Sequence, residues 1–298
     1  MLEYVIYMHT IKTEKTNSLA KIVIISSLTI LIALATYFGY QYYSDRQATD
    51  QAKQAEISRT TAVKAAAAAK EAKKKEPVYI TLPGASKIRA IVSDYTQPDD
   101  IWAVVSKTHA VPTDYIPSPL VIPDVSTRID KSTDERSVRS DIAPALKQMF
   151  DQASNYGYQL MVGSGYRSAN QQAIYFNSLA ASVGEEAANQ SIARPGQSEH
   201  QTGLAVDIST VSRNCYLDTC FADTSDGKWL AENSYKFGFI LRYPEGKETT
   251  TGYRYEPWHF RYVGIDLATA LHDSGLTLDE AWTYLETAAA TLKANGAL

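Results

Sequence analysis

Only two cysteines occur in the 298-residue chain, Cys215 and Cys220 in the segment C-Y-L-D-T-C. That spacing is too wide for a C-x-x-C zinc knuckle, and with no second pair a cysteine-built metal site is excluded. The two thiols can instead close a small loop, and a disulfide is the expectation over two free, partly buried thiols. Histidine is also scarce, at five residues, one of which (His9) precedes the main apolar segment. Basic charge is in deficit where a globular domain would lie: from Pro77 onward 18 Lys and Arg face 26 Asp and Glu, a net charge of −8. A face that grips phosphates should be basic, so nucleic acid is not the expected partner. No internal repeat period appears.

One stretch lacks charge altogether. The nineteen residues Ile22 to Tyr40 contain no Asp, Glu, Lys or Arg, and a helix of that length, at about 1.5 Å per residue, spans the roughly 30 Å hydrocarbon core of a bilayer. The run is longer than the apolar core of a signal peptide, and Gln41 to Arg46 holds no small-x-small cleavage pattern, so an uncleaved anchor is expected. Lys21 abuts the run, whereas Arg46 stands several residues beyond it. The positive-inside tendency then puts residues 1–21 in the cytoplasm and everything after Tyr43 outside. Residues 41–76, rich in Ala, Lys, Gln and Glu, have high helix propensity but too few large apolar residues for a core or a heptad seam. They predict a helical or partly disordered stalk that Pro77 stops.

Residues 77–125 carry Pro83, Pro98, Pro112, Pro117, Pro119 and Pro123 and predict a loop-rich wrapping arm ahead of a domain at 126–298. In that domain Val138, Ile142, Leu146, Met149 and Phe150 recur at helical spacing up to Gly157. Leu160 to Ser164, Leu204 to Ile208, Phe239 to Leu241 and Trp258 to Tyr262 predict strands. Helices are expected from an N-cap at Ser168 to Val183, over Lys228 to Phe237, and from the capping box Thr277 to Glu280 toward Leu292. The fold class is α+β, with a small, mostly antiparallel sheet and flanking helices.

Two compact blocks carry the chemistry: Gln197 to Ile208 (Q-S-E-H-Q-T-G-L-A-V-D-I) and Tyr255 to Phe260 (Y-E-P-W-H-F). Strand alternation sends Leu204, Val206 and Ile208 to the core and turns Asp207 to the opposite face, beside the small Ala205. Gly203 gives the backbone freedom to bring His200 back beside Asp207. In the second block His259 and Arg261 share one face, while Trp258 and Phe260 anchor the other. Two imidazoles and one carboxylate leave a tetrahedral zinc ion one open position, as catalytic zinc sites do. Glu256, held off by Pro257, is then placed to take a proton from a zinc-activated water. Taken singly, H-x6-D or E-x-x-H is a weak signal; their co-occurrence in so histidine-poor a chain is what gives them weight. His109 and His272 have no ligand-like neighbours and are expected to be structural.

The blocks S-x-H-x-x-G-x-A-x-D and E-x-W-H resemble those of the VanY-like D-alanyl-D-alanine carboxypeptidases, within the lysostaphin-type, D-Ala-D-Ala and hedgehog-like zinc superfamily. The likeness runs over roughly Ile101 to Leu285 and takes in Lys107 to Val121, Ser164 to Ser168 with Gln171 and Gln172, and Gly238 to Pro244. It implies one zinc ion held by His200, Asp207 and His259, with Glu256 as base and substrate-holding roles for Arg167, Gln172, Ser198 and Tyr243. A fixed guanidinium suits a terminal carboxylate or an oxyanion best, so Arg167 is the strongest of the four. The implied activity is removal of a terminal D-alanine from peptidoglycan stem peptides by a membrane-anchored, extracytoplasmic bacterial enzyme. An endopeptidase with the same zinc chemistry, and a non-catalytic wall-binding module, are the alternatives.

Overall fold

The computed structural model describes residues 2–298; residue 1 of the predicted cytoplasmic segment lies outside them. The chain divides into a unit that ends at Ala72 and a unit Lys73–Leu298. The first is carried by one continuous helix, α1 (Leu2–Lys75), so span and stalk form a single element with no break at Tyr40. It is long and apolar enough to cross a membrane. Its serine and threonine hydroxyls within the apolar run bond to the helix itself: Ser27, Thr29 and Thr36 donate to the carbonyls of Val23, Ile25 and Ile32 four residues back. A hydroxyl bonded this way adds little polarity to a lipid-facing surface.

The second unit runs β1 (Tyr79–Ile80), β2 (Ile88–Arg89), β3 (Leu120–Val121), α2 (Thr133–Arg136), β4 (Val138–Arg139), α3 (Ala143–Asn155) and β5 (Leu160–Ser164). It continues with α4 (Ala169–Val183), α5 (Glu185–Ser191), β6 (Ala205–Thr210), α6 (Ser225–Asn233), β7 (Phe239–Leu241), α7 (Glu248–Thr251), β8 (His259–Tyr262), α8 (Ile265–Ser274) and α9 (Leu278–Ala294). This is the expected α+β class. Two short ribbons, β1 with β2 and β3 with β4, flank a four-stranded antiparallel sheet of order β5-β6-β8-β7.

Most predicted elements stand where the patterning put them, and their caps explain why. Ser168 accepts from the Gln171 amide at the start of α4, and Thr277 and Glu280 form the reciprocal capping box of α9. Two boundaries differ most. Val138 belongs to β4, and the helix begins only at Ala143, because Pro144 in its first turn has no amide hydrogen and a fixed φ that suits a helix start but not a helix interior. The helix expected to reach Phe237 stops at Asn233, whose φ of −125° leaves the helical region, and a 3-10 turn Ser234–Phe237 follows.

The core has two parts. One lies under the apolar face of the sheet, where Leu204, Val206, Ile208, Trp258 and Phe260 meet Leu146, Met149 and Phe150 of α3. The other joins the proline-rich arm to the C-terminal helices: Ile80, Leu82, Tyr95, Trp102 and Val104 pack with Leu267 and Leu271 of α8 and Leu278, Leu285 and Leu292 of α9. The arm is thus core-building, and the Trp102 indole fixes it by donating to the Val263 carbonyl at 2.8 Å. Cys215 and Cys220 form a disulfide.

Candidate active site

Register builds the site. In the antiparallel pair β6·β8, Asp207 lies directly opposite His259, and directly opposed residues of neighbouring strands share a face with their Cβ atoms about 4.5–5.5 Å apart. The facing atoms are His259 Nδ1 and Asp207 Oδ1, 3.2 Å apart. His200 arrives from the 3-10 turn Glu199–Thr202, which ends at Gly203 with φ +68° in the left-handed region. A Cβ on Gly203 would come within 3.1 Å of the Arg139 backbone nitrogen, so both the turn and the close approach require glycine here. His200 Nε2 then stands 3.3 Å from Asp207 Oδ2.

One ligand-type atom from each of His200, Asp207 and His259 lies within 4.8 Å of the other two, and all three residues are buried. The set fits a metal ion by its own unmet needs. Asp207 Oδ1 is buried without a hydrogen bond to any described residue. His200 Nδ1 is taken up by the Gly165 carbonyl at 2.6 Å, which makes that nitrogen the donor and leaves the Nε2 lone pair turned to the cluster. Nitrogen and carboxylate oxygen donors in this number are those of a catalytic zinc site.

Glu256 stands beside this cluster, its Oε2 3.7 Å from His259 Nδ1. Burial pushes its carboxyl up to about 7; the His259, Arg254 and Arg167 charges oppose that rise and the Asp207 charge adds to it. A bound cation would draw the value down again. Burial lowers His200, against the pull of Asp207. His259 behaves oppositely: burial is outweighed by the neighbouring carboxylates of Asp207, Glu199 and Glu256, and the ring rises to about 9.

The other predicted residues converge on the same cleft, which is lined by Arg167, Gln172, Ser198, Tyr243, Glu256 and the three clustered residues. Arg167 donates to Gln172 Oε1 at 2.9 Å and to Ser164 Oγ at 3.0 Å, and its terminal nitrogen is 3.6 Å from Asp207 Oδ2. Gln172 spends its amide on the Ala193 carbonyl at 2.6 Å. It therefore anchors Arg167 rather than offering a free amide. The Tyr243 ring packs 4.9 Å from that of His259, and burial drives its hydroxyl well above the ordinary tyrosine range. His109 and His272 lie elsewhere, against Trp282 and stacked on Tyr235.

Sequence reasoning missed Glu199. It is fully buried, and its Oε1 accepts from Arg242 Nε and Arg261 at 2.8 Å each. Its adjacency to His200 in a block otherwise absorbed by the site was the available signal. Arg254 and Leu217 of the disulfide loop also line the cleft.

The site's sequence is shared. A family model described as VanY, D-alanyl-D-alanine carboxypeptidase, matches residues 135–265. YodJ of Bacillus subtilis (strain 168) is 49% identical over 183 residues, 61% of this chain and 67% of that protein. The chain belongs to the VanY D-alanyl-D-alanine carboxypeptidase family. Among solved structures, that of the LD-carboxypeptidase LdcB superposes with a TM-score of 0.60 at 48% identity, covering 63% of this chain and 87% of that one. A mutant of the vancomycin-resistance D,D-pentapeptidase VanY, in complex with Zn(II), superposes with a TM-score of 0.52 at 32% identity, covering 64% and 99%. The chain is accordingly a zinc-dependent carboxypeptidase, a metallopeptidase with a D-alanyl-D-alanine or LD type of activity.

Proposed function

We propose that this enzyme is anchored in a bacterial cell membrane and removes the C-terminal D-alanine from peptidoglycan stem peptides outside the cytoplasm. The observation that carries the reading is the convergence of His200, Asp207 and His259 beside the half-buried carboxylate of Glu256, in a cleft that also holds Arg167. The D,D- and LD-peptidase relatives support the substrate class. In this reading residues 1–21 are cytoplasmic, 22–40 span the membrane, 41–76 form the stalk, 77–125 the arm and 126–298 the catalytic domain.

His200 Nε2, Asp207 and His259 Nδ1 would hold one zinc ion. When bound, zinc supplies a Lewis acid that lowers the pKa of water to about 7 and polarises a carbonyl oxygen. Glu256 takes the proton of the attacking water at a carboxylate oxygen and returns it to the amine nitrogen as the C–N bond breaks, so one carboxyl serves as base and then acid. Arg167, fixed by Gln172 and Ser164, receives the terminal carboxylate of the peptide through charge-assisted hydrogen bonds. Ser198 and Tyr243 line the cleft where a peptide would lie and contact its backbone.

The test is product analysis. Full-length protein in detergent, loaded with zinc, is incubated with stem peptides ending in one or two D-alanines, and the products are weighed by mass spectrometry. Release of free D-alanine from either peptide supports the proposal, and the preferred peptide assigns DD or LD type. Cleavage inside the stem or a cross-bridge with no free alanine would assign an endopeptidase instead. Labelling of an introduced stalk cysteine by a membrane-impermeant reagent on intact cells tests the topology.

A further inference from the structure

His259 has two ring nitrogens, and only one faces the cluster. Nδ1 points at Asp207 and Glu256, whereas Nε2 points away, toward Glu199 Oε2 at 3.7 Å. Both His259 Nε2 and Glu199 Oε2 are buried and have no hydrogen-bond partner among the described residues. The gap exceeds hydrogen-bond length, and closing it would satisfy both atoms. An unmet buried donor or acceptor is costly, more so when charged, so the pair is under pressure to close.

Glu199 is held where this requires. Its other oxygen is shared by Arg242 and Arg261, both buried, and Arg242 is in turn paired with Asp279. Arg261 Nη2 donates to the carbonyls of Ile101 and Ala103 on the arm, and its Nε to the Tyr262 carbonyl. Two carboxylates and two guanidiniums balance, so the cluster keeps Glu199 charged without leaving a net charge buried. The Glu199 carboxylate is therefore rigid, anionic and turned toward the rear nitrogen of a ligand-type histidine. His200 meets the same need with the Gly165 carbonyl.

We propose that Glu199 is a positioning residue. It accepts a hydrogen bond from His259 Nε2–H, which fixes the tautomer that turns the Nδ1 lone pair toward the metal, and Arg242 with Arg261 clamps Glu199 for that purpose. One 3-10 turn thus supplies a ligand, His200, and the group that orients another. The inference rests on the assignment of His259 as a zinc ligand. An outer partner of this kind typically alters metal affinity by about 10–100-fold when lost.

In Glu199→Gln the two arginines still demand the acceptor oxygen, so the amide NH₂ faces His259 and a donor meets a donor. Zinc affinity of the full-length protein, measured by competition with a chromophoric chelator, is expected to fall about 10–100-fold. Leu285→Ala, in the core between α9 and the arm and outside the clamp, is expected to lower the melting temperature while leaving zinc affinity within about twofold of wild type. Equal zinc affinity in Glu199→Gln and wild type, or a loss in both variants that merely follows their melting temperatures, would overturn the proposal. If Glu199→Gln does not fold, the wild-type protein decides by nitrogen-15 NMR of the zinc-loaded form. A slowly exchanging, downfield proton on His259 Nε2 supports the assignment, and a fast-exchanging one opposes it. Protein that binds zinc as described but releases no alanine would sink the substrate reading and leave Glu199 its role.

Discussion

The two faces of the central sheet are made by the same strands and do opposite things. On one, Leu204, Val206, Ile208, Trp258 and Phe260 press against α3; on the other, Asp207, His259 and Arg261 sit with His200 and Glu199 in an equally buried but charged layer. The apolar face gains from area removed from water, roughly 25 cal/mol per Å², and any well-shaped hydrophobic residue supplies that. The polar face gains nothing from area. Each of its charges is tolerable only because a specific partner stands at a specific distance, and breaking one such pair typically costs about 3–5 kcal/mol. Stability is thus the business of one face and chemistry of the other, joined through backbone only a strand thick.

This division can be broken by variants, of which Glu256→Gln has the largest expected effect. It should cut kcat about 10²–10⁴-fold while zinc affinity and melting temperature stay near wild type; turnover that persists removes Glu256 from the chemistry. Phe260→Ala, at a fully buried position on the opposite face, should cost about 3–5 kcal/mol of stability by urea unfolding, yet leave kcat per folded molecule close to wild type. A collapse of kcat in the folded fraction would show that the two faces are not separable.

Gly203→Ala sits where the faces meet. Left-handed backbone costs a side-chain-bearing residue about 1–2 kcal/mol, and the added Cβ crowds the Arg139 amide, so stability should fall by that order. Zinc affinity should fall with it, because the same turn aims His200. An alanine variant with unaltered zinc binding would separate the turn from the ligand it carries.

Glu135→Gln should have the smallest effect on turnover, and sharpens the comparison by testing a buried charge away from the metal cluster. Burial works to raise the Glu135 carboxyl, but hydrogen bonds from Lys131, Tyr175 and Ser132 outweigh it and bring it from an ordinary 4.5 down to about 2. A carboxyl depressed by folding contributes stability above its ordinary value and loses it as pH falls from about 4.5 through about 2. Wild type should therefore lose stability across that window more steeply than Glu135→Gln. Parallel acid-unfolding curves would mean that Lys131 and Tyr175 do not hold the carboxylate.

Much of this was legible in sequence, for a physical reason that differs by element. Period-2 and period-3.6 patterns and capping residues are local, so β5 through β8, α4 and α9 could be placed from their own residues. The arm was not legible as core, because its apolar residues are spaced irregularly between prolines and acquire meaning only against α8 and α9. Pro144 carried the correct start of α3, but the apolar recurrence from Val138 ran past it. Gln172 was visible as a polar neighbour of Arg167, yet its hydrogen bonds to Arg167 and to Ala193 depend on how α4 meets the loop that follows α5.

The chain's chemistry was set by composition and spacing alone. A histidine-poor sequence put His200, Asp207, Glu256 and His259 into two short blocks, and alternation fixed which residues of each block shared a face. An uncharged run long enough for a bilayer is likewise a property of composition. What only the tertiary structure decided is pairing across distance: the register that sets Asp207 opposite His259, the Gly165 carbonyl behind His200, and the clamp of Arg242 and Arg261 on Glu199. A strand pattern says which way a side chain turns, but which strand lies beside it, and at what register, is fixed by closure of the whole core.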